Sequence, residues 1–216
     1  RIKQITEGNP KVKQNLLPPA LVFLCALLYL SRCPYTTLHP SLYAEDGSVF
    51  LQSAIDHGLG SIFELYAGYS HLLQRVTALL AVKIFSPLLY PIFFLIIAWA
   101  SYILPLITSE ALICSGTCRP ILRIAYIPYV YYPNATETYL NLPNSYIFFP
   151  LSFILLAYAE TAKRLNEPSR NLPRETSILK STILLLYGSI SALTGPFLAI
   201  YTLPLLILRG IKIKKI

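Results

Sequence analysis

The chain has 216 residues, of which 55% are hydrophobic and only 13% charged, with a formal net charge of +8. Soluble domains carry about 25% charged residues, so this composition excludes an ordinary water-soluble globule. The positive charge does not mark a nucleic-acid binder either, because the Lys and Arg residues sit in short clusters beside apolar runs and form no continuous basic face with interleaved aromatics.

The chain begins at Arg1 and has no methionine, which reads as a piece of a longer protein. The first apolar run, "LLPPALVFLCALLYL", is followed by "SRCPYTT", which offers no small-residue cleavage site, so it reads as a retained helix. A helix needs about 20 mostly apolar residues to cross a bilayer. On that scale the predicted spans, in chain order, are Leu16–Leu30, Tyr66–Phe85, Leu88–Ile107, Ser145–Ala159, Ile178–Ser191 and Pro196–Leu208. The run "ILRIAYIPYVYYP" is apolar too, but Arg119 and Arg123 lie beside or within it and Pro128 and Pro133 interrupt it. It is expected to be a re-entrant or interfacial piece.

Charge placement orients this map. With the N-terminus inside, Arg1, Lys3, Lys11 and Lys13 fall on the cytoplasmic side, as do Lys163, Arg164, Arg170, Arg174 and Lys180. Arg209, Lys212, Lys214 and Lys215 join them at the far end, and Lys83 lies near another inner edge, beside Ser86-Pro87. Glu45, Asp46, Asp56, Glu64, Glu110 and Glu137 fall outside. Basic residues on the cytoplasmic side are the orienting signal of membrane proteins. The expectation is an all-α polytopic helix bundle forming a single transmembrane domain over 1–216. It has six spans, both termini in the cytoplasm, and outer loops at about 31–65 and 108–144. The predicted location is the plasma membrane of a prokaryote.

The first outer loop holds "LHPSLYAEDGSVFLQSAIDHG". Its "GSVFLQSAIDHG" part predicts a short amphipathic helix with Val49, Phe50 and Ala54 on one face, Ile55 less cleanly placed, and Gly58 as its stop. Such a helix commonly lies at the membrane surface with its apolar face in lipid. Glu45 and Asp46 stand at its start, and Gly47 lets another group approach the backbone. His39, His57 and His71 all fall in or beside this loop. His71 and Arg75, four residues apart, are expected to share a helical face in the outer half of the second span. An arginine at that depth needs a partner or a wet cavity.

In the second loop, "YYPNATETYLNLPNSY" brings Glu137, Asn141 and Asn144 just ahead of a span and carries a glycosylation sequon at Asn134. In the third outer turn, "ALTGPF" breaks an apolar run near the interface at Thr194-Gly195-Pro196. Three outer segments with polar features suggest one shared site. The four cysteines settle nothing: Cys25 lies in a span, and the pairing of Cys33, Cys114 and Cys118 is unreadable. No compact His-rich spacing marks a metal site.

"HPSLYAEDGSVFL" resembles the first external loop of polytopic glycosyltransferases with the GT-C fold, where an acidic residue or pair follows the first span. "GYSHLLQRV", "ETYLNLPNSYIFF" and "SALTGPF" look like later segments of the same proteins. Those proteins usually have eight or more spans, and a missing C-terminal part would explain the difference. The resemblance implies transfer of a sugar from a polyprenyl-phosphate donor to a lipid or glycan acceptor at the outer membrane face. It implies Asp46 or Glu45 as general base or as ligand to a divalent cation, Mg or Mn. Arg75 and His71 would then bind phosphate, and Glu137, Asn141 and Asn144 would contact sugar or acceptor. Membrane lipid and the lipid-linked sugar are the expected partners, and nucleic acid is not. Two other classes remain open: a transporter or channel, and a non-catalytic membrane subunit of an envelope polysaccharide assembly complex.

Overall fold

A computed structural model describes residues 17–114, 119–131, 141–166 and 174–195. The described chain is all-α, with no strand beyond a single bridge between Tyr66 and Tyr69. The first apolar run forms α1 (Leu17–Ser31), followed by the short α2 (Pro34–Leu38). A π-helical turn over Asp46–Leu51 runs directly into α3 (Gln52–His57) and then a 3₁₀ segment over Gly58–Phe63. Helices α4 (Leu72–Ile84) and α5 (Tyr90–Cys114) come next. A further 3₁₀ segment (Pro120–Ala125) leads into α6 (Tyr126–Tyr131). The longer α7 (Ser145–Asn166) and α8 (Arg174–Thr194) follow.

Helix α5 is the axis of the bundle. Along one side α7 forms the most extensive helix pair of the described residues, with α8 packed against α7 and α4. Along the other side α1 runs parallel to α5: the Trp99 indole donates to the Ala26 carbonyl at 3.2 Å, and Tyr29 stacks on Tyr102. Two apolar clusters result. One joins Phe50, Leu51 and Ala54 of the first loop to Ala78 and Ala81 of α4 and Phe94 and Ala98 of α5. Alanines at these contacts let backbones approach closely. The other cluster sets Cys25 and Tyr29 of α1 against Tyr102 and Leu106 of α5, and against Tyr126 and Val130 of α6.

Several boundaries differ from the sequence reading. The second span, expected from Tyr66, becomes helical only at Leu72, because residues 66–71 form a tight turn with left-handed backbone at Ala67, Gly68 and His71. Helix α5 continues to Cys114, and α7 and α8 are longer than the spans at 145–159 and 178–191. Two stretches, Pro87–Cys114 and Leu142–Glu160, are long and apolar enough to cross a membrane; the apolar parts of α1 and α8 are shorter. The 13 residues of α4 reach about 20 Å, short of a hydrocarbon core of about 30 Å. The proposed span at 196–208 lies outside the described residues. The helix of the first loop ends at Gly58 (φ 56°) as expected, but its apolar face is buried on α4 and α5 and is not left for lipid.

The α7–α8 contact depends on a missing side chain. A Cβ on Gly188 would sit 2.8 Å from the Phe153 ring, which packs with Phe149 around Tyr187. Gly188→Val is expected to wedge these helices apart and cost about 1–3 kcal/mol, the usual penalty of overpacking. A lowered unfolding midpoint in detergent, with Ile183→Val at an exposed site as control, checks this.

Candidate active site

Asp46 opens the π-helical turn and is only 3% exposed. Its Oδ2 accepts the Tyr43 backbone N–H at 3.2 Å, while Oδ1 has no hydrogen-bond partner. Burial pushes its carboxyl up to about 7; the Tyr43 amide opposes the shift and the adjacent Glu45 charge adds to it. Glu45 also has one buried carboxylate oxygen, Oε2, without a partner. The turn is π-helical because the Gln52 N–H reaches back five residues to the Gly47 carbonyl. Such turns are frequent at functional sites. A Cβ on Gly47 would meet only Leu42 at 3.8 Å, so no group presses on this backbone as the glycine had suggested.

His71 is the residue before α4, in left-handed backbone (φ 50°, ψ 42°), and is 3% exposed. Its ring stacks on Tyr69 at 4.0 Å and lies 5.3 Å from Phe50, 5.5 Å from Tyr66 and 6.3 Å from Tyr146. Neither ring nitrogen makes a hydrogen bond, although the Tyr66 backbone lies beside the ring. A buried polar side chain left unpaired and a non-glycine residue in a left-handed conformation each cost about 1–3 kcal/mol. Both occur at one residue.

Arg75 lies one turn on, its N–H bonded to the His71 carbonyl at 3.0 Å, so the two are brought together as expected. The guanidinium itself is directed elsewhere. Nε donates to the Ser70 carbonyl at 3.1 Å. Nη1 donates to the Ser61 carbonyl at 2.9 Å, to Ser53 Oγ at 3.2 Å and to Glu64 Oε2 at 3.4 Å. It also stands over the Phe50 ring at 5.7 Å. Arg75 therefore staples the first loop to α4, and Glu64 is its counter-ion. Only Nη2 makes no hydrogen bond. Glu64 in turn accepts from Ser53 at 2.5 Å and contacts His57 Nδ1 at 2.5 Å; the Ser53 hydroxyl, with help from His57 and Arg75, holds its carboxyl below the usual range.

The later segments close on the same place. The Gln74 side-chain amide, next to Arg75, donates to the Pro143 carbonyl at 3.1 Å and to Ser145 Oγ at 3.2 Å, while its Oε1 has no partner. Asn141 is buried beside this junction, and Asn144 ends the 3₁₀ turn before α7. A Cβ on Gly195 would sit 2.6 Å from the Tyr146 Cβ, so the "LTG" end of α8 abuts the ring that faces His71. Glu137 and the sequon at Asn134 lie outside the described residues.

The three histidines do not converge: His39 packs on Tyr35 and His57 on Glu64. Among the described residues no group of three His, Cys, Asp or Glu side chains could hold a metal. The partnerless oxygens of Glu45 and Asp46 are of the type that hard cations take. Sequence reasoning marked Gln74 as a polar position of the span, but gave no role to Glu64, Ser53 or the aromatic ring around His71.

Compared with known proteins, the chain matches no protein family, no curated protein and no solved structure. The likeness to glycosyltransferases therefore rests on its own residues.

Two outcomes test this geometry. Because the folded protein favours the protonated Asp46, that group's contribution to stability is complete below about pH 4 and is lost as pH rises to about 7. Asp46→Asn is expected to stabilise the fold above pH 7, by about 2–4 kcal/mol, and to change little at pH 4. Unfolding midpoints across that range measure it. Separately, Arg75→Lys keeps the charge and gives up the fork; limited proteolysis is expected to cut within 46–63 while leaving α5 and α7 intact.

Proposed function

We propose that the chain is a polytopic membrane glycosyltransferase, or the N-terminal portion of one. It moves a sugar from a polyprenyl-phosphate donor to a hydroxyl of a lipid or glycan acceptor at the outer face of a prokaryotic plasma membrane. The observation that carries the reading is Asp46: a buried carboxyl with a partnerless oxygen, pushed up to about 7, beside a second acid in the loop after the first apolar helix. A group poised near the working pH is suited to general base catalysis. The convergence of "YSHLLQR", "NLPNSY" and "LTG" on one end of the bundle supports it. So do the two helices long and apolar enough to cross a bilayer.

In this reading the Asp46 carboxylate takes the proton of the acceptor hydroxyl. The hydroxyl oxygen bonds to the anomeric carbon, whose bond to the donor phosphate breaks, and the polyprenyl phosphate leaves with that electron pair. The transition state is oxocarbenium-like, and the neighbouring Glu45 charge favours it. Arg75 contributes through its one unoccupied nitrogen, Nη2, and by holding the loop that carries Asp46. Were Glu45 and Asp46 to hold a divalent cation in place of the base role, that ion would neutralise phosphate charge.

The test uses the full chain in proteoliposomes with radiolabelled polyprenyl-phosphate sugars and an extract of envelope lipids as acceptor. Transfer is expected, its rate rising with pH up to about 7 and then level, because the base must be deprotonated. Asp46→Asn should lower the rate at least about 100-fold while the protein stays folded. Undiminished transfer by Asp46→Asn would remove Asp46 from the chemistry. Absence of transfer by the parent chain would favour a transporter or a non-catalytic subunit.

A further inference from the structure

Residues 119–131, which the proposed reaction does not use, are built the wrong way round for a water-facing segment. Between Arg119 and Tyr131, which are both exposed, the polar side chains point inward. Arg123 forms a two-pronged pair with buried Glu110 at the end of α5, at 2.8 and 2.9 Å. The Tyr126 hydroxyl bonds Ser109 Oγ at 2.6 Å and Glu110 Oε1 at 3.1 Å. One turn further, the Tyr129 hydroxyl donates to the Tyr102 carbonyl at 2.8 Å and the Tyr102 hydroxyl returns a bond to the Tyr129 carbonyl. Arg32, just past α1, holds the Val130 carbonyl at 2.9 Å. The segment is thus clamped antiparallel along the outer part of α5.

Its outward face carries no charge after Arg119. Ile121, Leu122, Ile124, Ile127 and Tyr131 are 51–63% exposed, with Pro120, Ala125 and Pro128 between them. A protein-binding surface of this size normally carries a polar rim, and a solvated one would show its arginine and tyrosine hydroxyls outward. Here the polar groups are satisfied inside and the apolar ones face out, an arrangement that fits hydrocarbon. The segment is fastened to Tyr102, Leu106, Ser109 and Glu110 of α5, in the longer of the two stretches that could cross a bilayer. Arg119, exposed at the start of the segment, is placed to meet lipid phosphates.

We infer that the outward face of residues 120–131 is immersed in membrane lipid at the headgroup–acyl boundary, a plank bolted to α5 that seats the bundle in the outer leaflet. The inference rests on the membrane reading of α5 and is independent of the proposed chemistry.

Nitroxide labels placed singly at Ile121, Ile124 and Ile127, with the cysteines replaced by serine, test it in liposomes of phosphatidylethanolamine and phosphatidylglycerol. Collision with oxygen, which partitions into lipid, is expected to exceed collision with a water-soluble nickel chelate several-fold. A label at Ser48 in the first loop should show the reverse. Nickel access at the three sites equal to that at Ser48 would overturn the inference, as would protection from both reagents, which would mean a protein covers this face. The unlabelled parent chain supplies a second measurement: a carbene reagent dissolved in the bilayer should leave adducts between residues 120 and 131, and their absence would overturn it.

Discussion

The burial of the Arg75 guanidinium is the constraint on which the first-loop end of the bundle depends. A cation that is 2% exposed must be paired and hydrogen-bonded. The partners are drawn from three places in the first loop: Ser53 on α3, the Ser61 carbonyl in the 3₁₀ segment and Glu64 beyond it. Meeting those demands folds the loop back onto α4. Phe50, Leu51 and Ala54 are then set against Ala78 and Ala81, and the same turn draws Asp46 out of water. The apolar packing of the loop accompanies that satisfied charge, and burial raises the carboxyl.

This arrangement divides the acids of the loop. Glu64 is partly exposed, fully partnered and held ionised, as a structural counter-ion should be. Asp46 is buried, half partnered and balanced between its two protonation states near neutrality. Environments that drive two carboxyls apart in this way are the usual sign that one of them does chemistry. Burial accounts for most of the difference at Asp46, and the adjacent Glu45 adds to it.

Helix content was legible because apolar runs of this length have few alternatives, and α1, α5 and α7 lie close to where hydropathy puts them. Their ends were less legible. Tyr66, Ala67 and Tyr69 read as apolar, yet only backbone geometry reveals that Ala67, Gly68 and His71 turn left-handed and delay α4 to Leu72. That His71 and Arg75 stand one turn apart followed from helical spacing. The choice of Glu64 over Asp46 as the arginine's counter-ion did not, because it depends on how an irregular stretch between Gly58 and Glu64 folds. The aromatic ring around His71 was hidden for the same reason. Phe50, Tyr69 and Tyr146 come from three separate segments, and no local pattern encodes their meeting.

The contact between Gly195 and Tyr146 joins residues made nearly fifty positions apart. Tyr146 therefore gains its contact with the end of α8 only once that helix has been made, and glycine is the residue type whose bare backbone fits there. The surroundings of His71 thus depend on a residue distant from it in sequence that never touches it through a side chain.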